Sequence, residues 1–123
     1  MYFRLLPMQT ATLSKENGTV VCARCALATN AFTRMRGLLG RASLDPDEGI
    51  LLRPAGSIHM FFMRFAIDAI FCDRDLNVID VERGLAPGKM AARRGAKVVI
   101  ELAEGAARDV AAGDRLVLAT IDG

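Results

Sequence analysis

Tryptophan is absent from this chain of 123 residues, histidine and tyrosine each occur once, and phenylalanine six times. Most of those phenylalanines fall in apolar runs that read as core. The stacking surface of a single-strand nucleic-acid binder is therefore missing, and nucleic acid is disfavoured as a partner. Cysteine is scarce as well. Three in number, at 22, 25 and 72, they fit a reducing compartment better than a disulfide framework. No apolar run is long enough for a bilayer, because the longest, residues 57–71, is interrupted by His59, Arg64 and Asp68 and falls short of ~18 residues. The opening MYFRLLPMQT is broken by Pro7 and lacks the apolar centre of a secretion signal. These absences lead us to expect a cytoplasmic protein without a membrane span. Sixteen basic against fourteen acidic side chains, a net charge of +2, are too evenly matched to argue by themselves for nucleic acid or membrane.

A hydrophobic content of 52% and a charged content of 24% lie near the globular average, and the length suits one domain over residues 1–123 with its own core. Gln9–Ser14 and Val20–Leu27 read as a hairpin around Asn17-Gly18. From Asn30 the period changes. Phe32, Met35 and Leu39 recur at helical spacing behind a cap at Thr29 or Asn30, with Gly40 as the stop. Strands are then expected at Gly49–Leu52, Ile58–Met63, Ile67–Cys72, Val78–Glu82, Lys97–Leu102 and Arg115–Thr120, with a tight turn at 73–77 and one or two helical turns at 104–110. Between them, residues 83–97 hold Arg83, Lys89, Arg93, Arg94 and Lys97 with no acid and read as a basic loop. Short, evenly punctuated strands with one short α-helix make this a mainly β protein, a compact β-barrel or jelly-roll-like sandwich.

Inside the 57–71 run, extended geometry places Asp68 on one face with Ala66, Ile70 and Cys72. An ionised carboxylate buried alone would cost several kcal/mol, so Asp68 is expected to have a cationic partner: Arg64, His59 or an arginine of the 34–41 segment. Such a pair would lock the helix onto the sheet. Alternatively, His59 and Asp68 form an acid/base pair suited to proton transfer or hydrolysis, although no nucleophile of obvious type accompanies them. The Cys22-Ala23-Arg24-Cys25 spacing resembles a redox or zinc half-motif. In a straight strand, however, its Cα atoms would stand about 10 Å apart, past the ~7 Å that a disulfide spans, so packing is the expected role. A zinc site would need ligands beyond Cys72 and His59, and no metal or cofactor is expected.

Arg36-Gly37-Leu38-Leu39-Gly40-Arg41, Gly49-Ile50-Leu51-Leu52, Ile58-His59-Met60-Phe61-Phe62-Met63-Arg64-Phe65 with Ile67-Asp68, and Glu101-Leu102-Ala103-Glu104-Gly105 with Gly113-Asp114 occur in this order. Together they resemble the successive signatures of the domain of unknown function 192 family, over roughly residues 19–118. The resemblance implies a small, mostly β domain of barrel or jelly-roll-like character, of a kind found in bacteria and archaea, with no established molecular function. It picks out Arg36, Gly37, Arg41, His59, Phe62, Met63, Asp68, Glu101, Gly105, Gly113 and Asp114. Met60 departs from the pattern, which more often has threonine or tryptophan there. So does Lys89, where an arginine after proline is usual.

The candidate site is accordingly the region where Arg36 and Arg41 approach His59, Arg64 and Asp68. Its expected role is non-catalytic binding of a small anionic ligand or a protein partner. The alternatives are a hydrolase- or isomerase-like enzyme using His59 and Asp68, and an RNA-associated module using Arg93, Arg94 and Lys97 of the basic loop.

Overall fold

The computed structural model describes residues 9–30, 34 and 38–121. Nine strands form: β1 Thr10–Lys15, β2 Val20–Ala28, β3 Glu48–Leu52, β4 Ser57–His59, β5 Ile67–Cys72, β6 Val78–Leu85, β7 Met90–Ala92, β8 Val98–Ala103 and β9 Leu116–Thr120. Seven build one sheet in the order β6-β5-β8-β3-β2-β1-β9, in which only β2 and β3 run parallel, and β4 pairs with β7 in a separate two-stranded sheet. The fold is mainly β, as expected. The large sheet is open rather than a closed barrel. Among the described residues its edge strands meet near their starts, through the bridge Asn77↔Arg115 and the bonds from Val78 N–H to the Asp114 carbonyl, from Gly113 N–H to the Val78 carbonyl and from Leu116 N–H to the Leu76 carbonyl. The short helix expected from Asn30 to Gly40 lies largely outside the described residues.

Apolar side chains cover both faces of the large sheet, which is why IDAIFC and VVIELA are buried at every position. On one face Leu13, Leu51, Ile70, Val98, Ile100 and Leu102 pack together. On the other, Ile50, Leu52, Ile67, Phe71 and Val99 are covered by Ile58, Met60 and Ala91. Each fully buried aliphatic or phenylalanine side chain contributes about 1.5–3 kcal/mol relative to exposure, so the middle strands β5 and β8 anchor both layers. The expected strand Ile58–Met63 stops at His59 and belongs to the small sheet, so of the 57–71 run only Ile67–Cys72 is a central strand.

The Cys22–Cys25 segment is not straight. Leu13 faces Cys22 and Ala11 faces Cys25, so three steps of β2 oppose two of β1, and this bulge turns both thiols into the same core. Interaction with the neighbouring Cys22 thiol, together with burial, pushes the Cys25 thiol well above its ordinary range. Burial likewise pushes the Cys72 thiol up to about 12. All three cysteines are free and buried.

Candidate functional site

The small sheet lies over the second core as a thin lid with one apolar side. In β4 only Ile58 is buried and in β7 only Ala91, while Ser57, His59, Met90 and Ala92 turn outward, as period-2 alternation requires. His59 stands opposite Met90. Its ring stacks on Phe61, with centroids 5.0 Å apart and planes inclined by 28°. Beyond His59 the chain turns at Phe61 and Phe62, held from beneath by Met60. The Met60 side chain is fully buried, its N–H donates to the Lys89 carbonyl at 2.7 Å, and its own carbonyl accepts from Gly88 N–H at 2.8 Å and Met63 N–H at 3.2 Å.

Phe62 results from that turn. Its φ is 65° and its side chain is 90% exposed, beside Phe61 at 43% and Met90 at 65%. A side chain in the left-handed region costs about 1–2 kcal/mol, and at 62 no burial of the ring offsets it. Phe62→Gly is therefore expected to raise thermal stability by up to about 1 kcal/mol after the extra chain entropy of glycine is deducted. Melting of the variant well below wild type would show that the ring supports the turn.

The stretches of chain that carry this tip are rich in positive charge. Residues 53–67 and 83–100, which lay down the small sheet and its flanks, hold seven arginines and lysines and no acid, leaving nine such cations against fourteen acids elsewhere. Two of the seven are engaged internally: Arg83 donates to the carbonyls of Ala107 and Val110, and Arg93 pairs with Asp80 at 2.6 Å while lying over the Phe71 ring. Arg53, Arg64, Lys89, Arg94 and Lys97 are exposed and form no ion pair among the described residues.

Among the described residues, the expected Arg/His/Asp cluster is not brought together. Asp68 is buried, 1% exposed, yet among the described residues no cation pairs with it. Instead it accepts three backbone hydrogen bonds, from Gly84 N–H on Oδ1 at 3.0 Å and from Gly105 and Ala107 N–H on Oδ2 at 3.0 and 3.1 Å. Two of these donors are glycines with positive φ, 65° at Gly84 and 91° at Gly105, the backbone form that aims their N–H groups at the carboxylate. Amide dipoles thus do what a guanidinium was expected to do. His59 and Arg64 are exposed and make no hydrogen bond or ion pair with Asp68, Arg41 pairs with Glu48 at 3.0 Å, and Arg36 lies outside the described residues. Arg93, one of the three residues of the basic loop named for RNA contact, is engaged by Asp80.

A second buried carboxylate, Glu101, stands between Ile50 and Ala69 in the sheet register and is 6% exposed. No hydrogen bond or ion pair reaches it among the described residues, and burial pushes its carboxyl up to about 7. Across the molecule, a cleft of about 380 Å³ lies between Val20, Pro46, Asp47, Glu104 and Arg108. Asp47 is held by Arg24 at 2.9 Å and Arg108 lies 4.0 Å from Asp109, so the charges there are largely matched. Among the described residues no three His, Cys, Asp or Glu side chains converge as metal ligands. Nor is any helix there long and apolar enough to cross a membrane.

The tip residues Phe62 and Met90 escape a sequence reading because alternation carried straight through 57–63 makes Phe62 a core residue. The one visible signal was the acid-free pair of basic segments on either side.

Comparison with known proteins bears on fold and family. The model of the domain of unknown function 192 (DUF192) family, described as Uncharacterized ACR, matches residues 12–118. A UPF0127 protein of Thermococcus sibiricus is 34% identical over 93 residues, 72% of this chain. The chain spans 60% of the length of that relative. A Sinorhizobium meliloti 1021 protein, provisionally described as a transcription regulator, superposes with a TM-score of 0.80 at 21% identity, covering 94% of this chain and 98% of that one. A protein of unknown function from Novosphingobium aromaticivorans DSM 12444 superposes with a TM-score of 0.75 at 23% identity, covering 88% and 83%. At these identities the likeness is one of fold.

Proposed function

The chain belongs to the domain of unknown function 192 family, and within it we propose a non-catalytic binding domain that docks an anionic partner on the outer face of its small sheet. The observation that carries this reading is the coincidence of charge and apolar exposure. The acid-free segments 53–67 and 83–100 pair through β4 and β7, and the first of them carries Phe62, the most exposed large apolar side chain among the described residues. Exposed, unpaired cations attract an anionic surface over a Debye length, and exposed apolar side chains on the same segments supply contact energy once the partner arrives. The acid/base alternative finds no support, because both oxygens of Asp68 are occupied by amides and His59 lies on the outer face. Three free, buried cysteines favour a cytoplasmic location.

Retention on immobilised heparin, a generic polyanion, tests the reading. Lys89→Glu/Arg94→Glu is expected to bind at least about tenfold more weakly than wild type at low salt, whereas Arg108→Glu/Arg115→Glu, an equal change of charge outside the basic segments, leaves the loss much smaller. Equal elution of the two double variants would refute a docking face on the small sheet.

A further inference from the structure

Resting on that docking reading, we infer that the anionic partner is the surface of an acidic phospholipid bilayer, into which Phe61, Phe62 and Met90 dip while Arg64 and Lys89 lie against the headgroup phosphates. Phe61 and Phe62 sit at a turn, Met90 stands at the start of the adjoining strand β7, and all three side chains are exposed, Phe62 at 90%. A projecting point needs a partner that yields around it, and a bilayer does so, whereas a folded protein would need a matching socket. The chemistry of the tip agrees. The side chains of two phenylalanines and a methionine carry no hydrogen-bond donor that must stay wet, so all three can enter hydrocarbon without burying a polar side-chain group.

The same atoms argue against a nucleobase partner. One side of Phe61 is already covered by His59, and the Met90 thioether offers no aromatic face, so only Phe62 presents an open ring. A second copy of this chain is disfavoured by charge, since the acid-free segments of the two copies would repel. The tip is also prepared in advance. The three backbone hydrogen bonds about Met60 and its fully buried side chain hold the turn before any partner arrives, so little ordering entropy opposes insertion. Cations beside the tip meet the negative surface of a cytoplasmic leaflet, and each adds to the attraction.

Cosedimentation with vesicles of phosphatidylcholine, with and without phosphatidylglycerol, is the test, using the full chain, Phe62→Gly and Lys89→Glu. Wild type is expected to pellet with phosphatidylglycerol vesicles and to stay in solution with pure phosphatidylcholine. Each variant should bind the acidic vesicles at least about tenfold more weakly. Phe62→Gly should keep its retention on heparin, and its melting temperature confirms that it folds. Heparin retention without vesicle binding, or vesicle binding indifferent to Phe62, overturns the lipid inference and leaves the docking reading standing. Phe62-dependent binding to single-stranded polyuridine with no binding to vesicles overturns it in favour of nucleic acid. Loss of the heparin contrast between the two double variants removes the docking reading itself.

Discussion

Between pH 4.5 and pH 8 the wild-type protein is expected to lose about 3 kcal/mol of stability through a single side chain, and a Glu101→Gln variant to lose almost none. The carboxyl of Glu101 is 6% exposed, without a hydrogen-bond partner or cation among the described residues, and burial raises it from an ordinary 4.5 to about 7. A raised carboxyl pKa means that the folded state holds a proton the unfolded chain has already released. Stability from this group is therefore full below about pH 4.5, falls as pH climbs, and is gone once pH passes about 7. The opposite sign belongs to Asp47, Glu48, Asp73, Asp80 and Asp114. Hydrogen bonds hold their carboxyls below the ordinary range, principally to Arg24, Arg41, Asn77, Arg93 and the Ala111 amide in turn. Their contribution is lost only on further acidification, so the two effects occupy separate pH windows. Melting curves of wild type and Glu101→Gln at several pH values measure the difference, roughly 10 °C over the range for a chain of this size. Parallel profiles for the two proteins would mean that Glu101 is solvated or paired.

Asp68→Ala is expected to cost at least about 3 kcal/mol and Asp68→Asn somewhat less, while Arg64→Ala and His59→Ala change stability by no more than about 0.5 kcal/mol. Removing the carboxylate strands the N–H groups of Gly84, Gly105 and Ala107, and each unsatisfied buried donor costs about 1–3 kcal/mol. Asparagine keeps one acceptor oxygen, enough for the pair at Gly105 and Ala107, but turns its NH₂ toward the Gly84 donor. Chemical denaturation of the four variants measures this order. If Arg64→Ala proved as damaging as Asp68→Ala, a cation would be the true partner of the carboxylate and the amide cradle would be wrong. Because Asp68 ties the 84 and 105–107 turns to the start of β5, its loss should also free that end of the sheet for hydrogen exchange first.

The strands were legible because their signal is local. Ile67–Cys72 and Val78–Glu82 carry β-branched and aromatic residues between turn signals, and the structure places β5 at Ile67–Cys72 and β6 over Val78–Leu85. The burial of Asp68 was legible too, from alternation alone. Its partner was not. Gly84 and Gly105 lie 16 and 37 positions away, and nothing local in a glycine announces that its amide will face a carboxylate. The bulge at Cys22–Cys25 was hidden for a related reason, since one extra residue on a strand shows only against the register of its neighbour.

By itself the sequence determined the β class of this protein, the depth of its middle strands, the burial of Asp68 and the segregation of cations into 53–67 and 83–100. All of these follow from composition and from periods two residues long. Only the tertiary structure decided that three backbone amides hold Asp68, that Glu101 has no partner among the described residues, and that the 57–71 run breaks at His59 to expose Phe62. Those outcomes depend on which distant backbone groups meet across strands, and a hydrophobic pattern carries no information about partners that the chain reaches only after it folds.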